Sequence, residues 1–219
     1  MDKKKLVHYL AKLSKNNNKQ WFEANRAEYD DLRKQFTALV EDLIHLIQKF
    51  DKDFKVTDPK KCLFRLNRDI RFSKDKTPYK THFSAHFGNN WNGVASPSYY
   101  LHIDHNGKLM IAGGLYMPDN NQLKLLRDSI VNRPEDFEDV IYDEKLVKTF
   151  GNLDSDMKLK RAPQGYDENS PMIEYLKLKS FSVGKEFNVG AVKGDLADFV
   201  AKHFEIMYPI VKWVNKVAK

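Results

Sequence analysis

Tyr99-Tyr-Leu-His-Ile-Asp104, the turn Asn106-Gly107 and Leu109-Met-Ile-Ala-Gly-Gly-Leu-Tyr116 decide the fold class. In the first piece Tyr99, Leu101 and Ile103 alternate with Tyr100, His102 and Asp104, the period of two of a half-buried strand. Asn-Gly supplies the backbone conformation that a tight hairpin requires. The second piece is apolar almost throughout, and Gly113-Gly114 predicts a bulge or a close approach of backbone. Upstream, His82, Ser84 and His86 alternate with Phe83, Ala85 and Phe87, and a turn-rich segment from Gly88 to Pro97 separates this strand from the next. Successive strands of this kind predict an antiparallel meander with one apolar face.

Outward from the meander the apolar spacing becomes helical. Leu6, Tyr9, Leu10 and Leu13 predict a helix over about 4–15, which Asn16-Asn17-Asn18 ends. A second helical pattern runs over about 19–50. Its length exceeds that of an ordinary globular helix, so a break near Asn25 is expected. The asparagine turn reads either as a helix connector with Trp21 as a core anchor or as a loop that touches a ligand. After Asp58-Pro59, the alternation of Cys62, Phe64 and Leu66 predicts a strand with Arg65 on the face opposite Phe64. Beyond Pro118, helices are expected over about 120–131, 134–142 and 144–150. A basic loop, a short helix over 171–179, a strand over 180–188 and a closing amphipathic helix over 195–216, with Pro209 able to kink it, complete the chain. Helices before and after a block of strands predict an α+β fold, an antiparallel sheet built on a central meander and flanked by N- and C-terminal helices, in one domain over 1–219.

Composition excludes several classes. At 219 residues, 42% hydrophobic and 31% charged, the chain reads as an ordinary soluble protein with a substantial core. The single Cys62 excludes an internal disulfide and any multi-cysteine metal site, and its strand position argues against thiol catalysis. No run approaches the ~18 apolar residues of a membrane helix. Leu6 to Leu13 is interrupted by His8 and Lys12 and reads as an amphipathic helix rather than a signal peptide. A cytoplasmic location with no membrane partner is the expectation.

Charge points to one place. From Lys60 to Lys80 there are eight Lys and Arg against Asp69 and Asp75, so this segment carries nearly all of the chain's net +7. Such a concentration calls for internal carboxylates or an external anion. Arg65, Arg68 and Arg71, with Lys74, Lys76, Tyr79 and Lys80 close by, can surround a phosphate or a carboxylate, because guanidinium forks match those oxygens in pairs. Asp69 can orient an arginine or act as a base. Equally, the arginines can pair with acids of the helices and hold the domain together. The glycines of a phosphate-binding loop or a dinucleotide fingerprint are absent.

The pattern Arg65-x-x-Arg68-Asp69-x-Arg71-Phe72-x-x-Asp75-Lys76-x-x-Tyr79 resembles the signature of DUF2461, a bacterial and fungal family of unknown function. Asn16-Asn17-x-x-x-Trp21-Phe22 and Leu159-Lys160-Arg161-x-Pro163-x-Gly165-Tyr166 resemble it too, so the likeness runs over essentially the whole chain. It implies no activity and no catalytic residue.

The polar sheet face is a second constellation. His86, His102 and Asp104 are secondary candidates, because cross-strand neighbours come close and histidine with carboxylate suits acid-base work or metal ligation. The same residues are ordinary on a half-solvated face. Lys160 and Arg161 can fold back and add charge to the central site, or remain solvated.

These observations lead to a small anionic ligand, phosphorylated or carboxylated, held by Arg65, Arg68, Asp69, Arg71, Lys76, Tyr79 and Lys80. A nucleic-acid-binding module and a scaffold with internally paired arginines are the alternatives. No metal is assigned, and the sequence names neither a cofactor nor an oligomeric state. If the cluster serves a ligand, Arg68→Ala or Arg71→Ala should leave stability within about 1 kcal/mol of the parent by denaturant titration. Asp69→Ala, which removes the carboxylate inside the arginine run, should destabilise; large losses for both arginine variants would favour the scaffold.

Overall fold

The computed structural model of the protein describes residues 1–88 and 95–218. Helix α1 (Lys3–Lys15) begins at Asp2, whose carboxylate accepts from the Lys5 N–H at 2.9 Å. Asn16 closes it, and Asn18 caps α2 (Lys19–Ala24) by accepting from the Trp21 N–H at 2.9 Å. Asparagine serves both ends because its short side chain competes for free backbone groups. The expected break falls at Asn25, between α2 and α3 (Arg26–Phe50). On α3 the residues Tyr29, Leu32, Phe36, Leu39, Val40, Leu43, Ile44 and Ile47 form one buried stripe.

Strands β1 (His82–Gly88), β2 (Ser98–Asp104), β3 (Lys108–Leu115) and β4 (Phe181–Asn188) form one antiparallel sheet in that order. Burial on β2 alternates strictly, with Tyr99, Leu101 and Ile103 inside and the residues between them half-buried. The Asn106-Gly107 turn is present. Gly107 has φ +79°, and the Asp104 carboxylate braces the turn by accepting from the N–H groups of Asn106 at 2.8 Å and Lys108 at 2.9 Å. The turn-rich stretch expected between β1 and β2 lies largely outside the described residues, which omit 89–94.

The strand expected at Cys62 to Leu66 is instead two isolated bridges. Leu63 pairs with Ala85, with hydrogen bonds Phe64 N–H to Ser84 O (3.2 Å) and His86 N–H to Cys62 O (2.8 Å). The chain then leaves β1, and Asn67 pairs with Tyr79. A change of partner after Phe64 prevents a continuous ladder, which period-two alternation alone does not reveal.

The chain forms two compact units, one of residues 1–87, 100–111 and 186–202, the other of 88–99, 112–185 and 203–219. In the first, Tyr29 and Phe36 of α3 meet Phe83 of β1 edge-on at 5.5 and 5.3 Å between ring centres. Phe22 of α2 packs on Tyr79 at 4.5 Å. The second contains α4 (Asn120–Asn132), α5 (Pro134–Ile141), α6 (Glu144–Phe150) and α7 (Ile173–Leu176). Its core centres on Phe137, which packs against Trp213 at 4.7 Å and Tyr175 at 5.2 Å. Trp213 belongs to the last helix, α8 (Leu196–Val217), with Pro209 inside it. Helix α7 is shorter than its spacing predicts. Arg127 takes the carbonyls of Leu176 (2.8 Å) and Leu178 (3.1 Å), and the chain turns into β4. Among the described residues no helix is long and apolar enough to cross a membrane.

Gly114 is where a side chain cannot stand. It has φ +121°, and a Cβ there would lie 2.3 Å from the carbonyl oxygen of Phe181. Gly165 has φ +87° with open space around it. Gly114→Ala should therefore cost at least about 2 kcal/mol, combining backbone strain with a clash against backbone, and Gly165→Ala only about 1 kcal/mol. Denaturant titration of both variants checks the difference; equal losses would contradict the close approach of β3 to β4.

Candidate functional site

A pocket of about 530 Å3 opens in the first unit. Ser14 and Asn17 line it from the end of α1 and the asparagine turn; Arg68, Asp69, Asp75 and Thr77 line it from the basic loop; Tyr79, Lys80, Thr81 and His82 line it from the run into β1. The Asn17 side chain fixes this run by holding both backbone groups of Tyr79. Its amide donates to the Tyr79 carbonyl at 2.8 Å, and its carbonyl accepts from the Tyr79 N–H at 3.0 Å. The chain is extended on either side: Arg68 N–H donates to Pro78 O and Lys80 N–H to Leu66 O, both at 2.9 Å. Tyr79 is thereby buried against Phe22, and the whole run from Tyr79 to His82 borders the pocket.

Within the loop, each aspartate is matched to an arginine. The Arg68 guanidinium pairs with Asp75 at 2.5 Å and also donates to the Thr77 hydroxyl and, at 3.2 Å, to the Thr77 carbonyl. Asp75 is held below the usual carboxylate range, first by the Thr77 N–H and then by Arg68. Arg71 makes a two-pronged pair with Asp69 at 3.0 and 2.7 Å, and Arg71 is 77% exposed. That pair holds the Asp69 carboxyl below its ordinary value. Lys76 donates to the Ile70 carbonyl at 2.9 Å. Of the seven residues that the sequence groups into one site, Arg68, Asp69, Tyr79 and Lys80 line the pocket, whereas Arg65, Arg71 and Lys76 are not among its lining residues.

Part of the unbalanced charge gathers around Phe64. Lys80 Nζ sits 5.0 Å from the Phe64 ring centre. Its pKa is lowered, first by burial and then by Arg65 and Arg33. Arg33, on α3, donates to the Phe64 carbonyl at 3.0 Å and lies over the Phe83 ring. Among the described residues, none of Arg33, Arg65 and Lys80 has a carboxylate at ion-pair distance. Three cations thus share one neighbourhood without internal neutralisation, an arrangement that favours an anion. Arg65 also acts on Asp69, so its influence reaches two lining residues.

The polar face of the sheet is organised differently from the expectation. His102 stacks on His82, with ring centres 4.2 Å apart, and its Nδ1 is 3.1 Å from the Tyr100 hydroxyl. His82 beside His102 in an antiparallel pair puts His86 four residue pairs further along, beyond reach of His102. Asp104 braces the hairpin turn instead of meeting His86. The imidazole of His82 is pushed down to about 4 by burial, then by His102 and Lys80. Burial also lowers His102. Both rings are therefore neutral at pH 7. No group of three or more His, Cys, Asp or Glu among the described residues is placed to hold a metal ion. Lys160 and Arg161 are exposed residues of the second unit. Burial pushes the Cys62 thiol up to about 12, which disfavours the thiolate.

Sequence reasoning missed Arg33 and the side chains of Ser14, Thr77 and Thr81. Arg33 follows the stripe residue Leu32 and stands four after Tyr29 and three before Phe36, at the edge of the buried face of α3. A cation at the border of an apolar stripe was the available signal. The hydroxyl residues carry none, because Ser and Thr are common on every surface.

The family model of DUF2461, described as a conserved hypothetical protein, matches residues 5–213 of the chain. Neither the curated proteins nor the solved structures contain a match to it.

The geometry separates the arginines. Arg68→Ala removes a half-buried group with several partners and should cost about 1–2 kcal/mol. Arg71→Ala and Asp69→Ala break an exposed, solvent-screened pair and should each cost less than Arg68→Ala, so the destabilisation that the sequence suggests for Asp69→Ala is not expected from this structure. Denaturant titration checks the order; equal costs at Arg68 and Arg71 would contradict it. His82 makes a second prediction. Its folded pKa lies near 4 against an ordinary 6.5, so between these values the unfolded chain binds more protons and stability falls as pH falls. His82→Phe should show a shallower loss from pH 6.5 to 4, measured by urea titration at each pH; an unchanged slope would contradict a buried, neutral His82.

Proposed function

For a chain that belongs to the DUF2461 family of conserved hypothetical proteins, we propose that the first unit binds a small molecule through a phosphate or carboxylate group near Lys80, with Arg65 and Arg33 supplying further positive charge. The observation that carries this reading is the set of three cations with no carboxylate at ion-pair distance among the described residues, one of which lines the pocket. An anion there restores the favourable environment that Lys80 loses to burial and to its neighbours. The rest of the molecule meets a polar wall of Asn17, Ser14, Thr77 and Thr81, which can donate and accept hydrogen bonds. Asp69 and Asp75 share the wall, but each already holds an arginine. The ligand that fits best carries an acidic group together with hydroxyl or amide groups, a phosphorylated or carboxylated small molecule.

Phe72 favours a second reading, a nucleic-acid-binding module. It is 96% exposed, beside the Arg71 guanidinium and the exposed Lys74 and Lys76. An exposed ring flanked by cations suits a single strand, whose bases stack while its phosphates are neutralised.

One set of measurements separates the two. Under the pocket reading, phosphate, sulfate or a mononucleotide raises the melting temperature at millimolar levels. At a hundredfold excess over Kd the stabilisation is about 2.7 kcal/mol, roughly 5–10 °C for a chain of this length. The shift should disappear in Lys80→Met, weaken in Arg65→Ala and persist in Arg71→Ala and Phe72→Ala. No shift across a broad panel of phosphates and carboxylates would sink the pocket reading. Oligonucleotide binding that is sub-micromolar near physiological salt, steeply salt-dependent and lost in Phe72→Ala would put nucleic acid in its place.

A further inference from the structure

Lys80 is the pocket's unusual group. Its amine has no hydrogen-bond acceptor and no ion-pair partner among the described residues, and it lies against the face of Phe64 while lining the 530 Å3 pocket. A lysine at a surface normally extends into water or onto a carboxylate. Here the carboxylates of the same pocket, Asp69 and Asp75, are held by Arg71 and Arg68. Two residues along the same extended run, the His82 imidazole lines the pocket as well. We propose that Lys80 is an amine nucleophile that forms an imine with the aldehyde or ketone carbon of a small molecule whose own carboxylate or phosphate is attracted by the positive charge of Arg65 and Arg33, which lie beside Lys80 outside the pocket's lining.

This inference rests on the anion-binding reading and names the reactive part of the ligand. An amine attacks a carbonyl only in its neutral form, and burial beside other cations is the environment that makes that form accessible. The lowered pKa of Lys80, caused by burial and then by Arg65 and Arg33, agrees with the geometry. In the step itself the nitrogen lone pair forms a bond to the carbonyl carbon, and the carbonyl pair moves onto oxygen, which takes up a proton. The C–O bond of the resulting carbinolamine then breaks. The oxygen leaves as water with the two hydrogens that the amine has lost, and a C=N bond remains. No oxidant or reductant is needed. The neutral imidazole of His82 is the nearby group able to take the proton from nitrogen and return it to the departing hydroxyl. The same cations that make the neutral amine accessible attract the acidic group of the substrate, so recognition and activation share one cause. The chemical class is therefore an oxo acid or a phosphorylated aldehyde or ketone.

The test uses the full chain, with pyruvate as an anionic carbonyl compound and lactate as its hydroxyl counterpart. Incubation with pyruvate and cyanoborohydride reduces any imine to a stable secondary amine, which peptide mass mapping locates. We expect the adduct at Lys80 at more than tenfold the level at Lys74 or Lys76, suppressed by millimolar phosphate. Lys80→Arg keeps the positive charge but cannot form the adduct. It should retain thermal protection by lactate while losing the labelled peptide. Protection of the parent protein by both acids without labelling at Lys80 overturns the imine and leaves the anion site standing. Labelling spread evenly over surface lysines also overturns it. Protection by neither acid, with no adduct, removes the anion site and the imine together. The parent protein alone yields each of these outcomes, so the inference does not depend on how the variant folds.

Discussion

One side-chain amide sets the geometry on which the candidate site depends. Asn17 holds both backbone groups of Tyr79, at 2.8 and 3.0 Å, across 62 residues of sequence. A backbone N–H and C=O away from regular structure must find partners, and here one asparagine satisfies both. The consequence is register. Tyr79 is fixed with its ring on Phe22, and in an extended chain the next residues follow with known sides. The run from Tyr79 to His82 is held at the pocket's edge because Tyr79 is clasped. The same turn closes α1 and opens α2, so the helix boundary and the pocket wall are one feature. Connector and pocket-lining loop, two readings that the sequence allows separately, are joined in the asparagine turn.

Charge balance explains which part of the basic segment remains available. Asp69 and Asp75 stand within reach of the arginines of their own loop and neutralise Arg71 and Arg68. The exposed Arg71–Asp69 pair contributes little to stability. The half-buried Arg68 has Thr77 as well as Asp75 and ties the two arms of the loop together. Of the six basic residues left over, Arg65 and Lys80 share one neighbourhood, joined by Arg33 from α3. Spatial sorting of partners, rather than the density of basic residues, therefore decides where an anion is favoured. A cluster that looks uniform in sequence divides into a structural half and an unneutralised half.

The meander was legible because burial follows a period of two on β2 and the Asn-Gly turn is locally determined. The helices were legible for the same reason at their own period, and Asn25 fell at the break because length alone required one. The segment from Cys62 to Tyr79 was not. Its backbone partners, Ala85 and Tyr79 in turn, are set by tertiary pairing that alternation does not encode. The candidate site was half legible. Composition located the excess charge and therefore Arg68, Asp69, Tyr79 and Lys80. It could not distinguish arginines whose acids lie two or seven residues away from those with none among the described residues, because that depends on how the loop folds. Arg33 lay outside the motif and was reachable only through its position at the rim of a helical stripe. The histidines were misassigned: the sequence groups His102 with His86 and Asp104, whereas its partner on the neighbouring strand is His82.

The central claim is that the unneutralised cations around Lys80, and not the arginine pairs of the loop, form the anion site. Crystals grown with selenate and measured at the selenium edge test it directly, because the anion's position is read from anomalous scattering without interpretation of its shape. The account predicts a peak within hydrogen-bonding distance of Lys80 Nζ, on the side facing Arg65. Peaks confined to Arg71 or to the basic loop's outer surface, with none at Lys80, would contradict it.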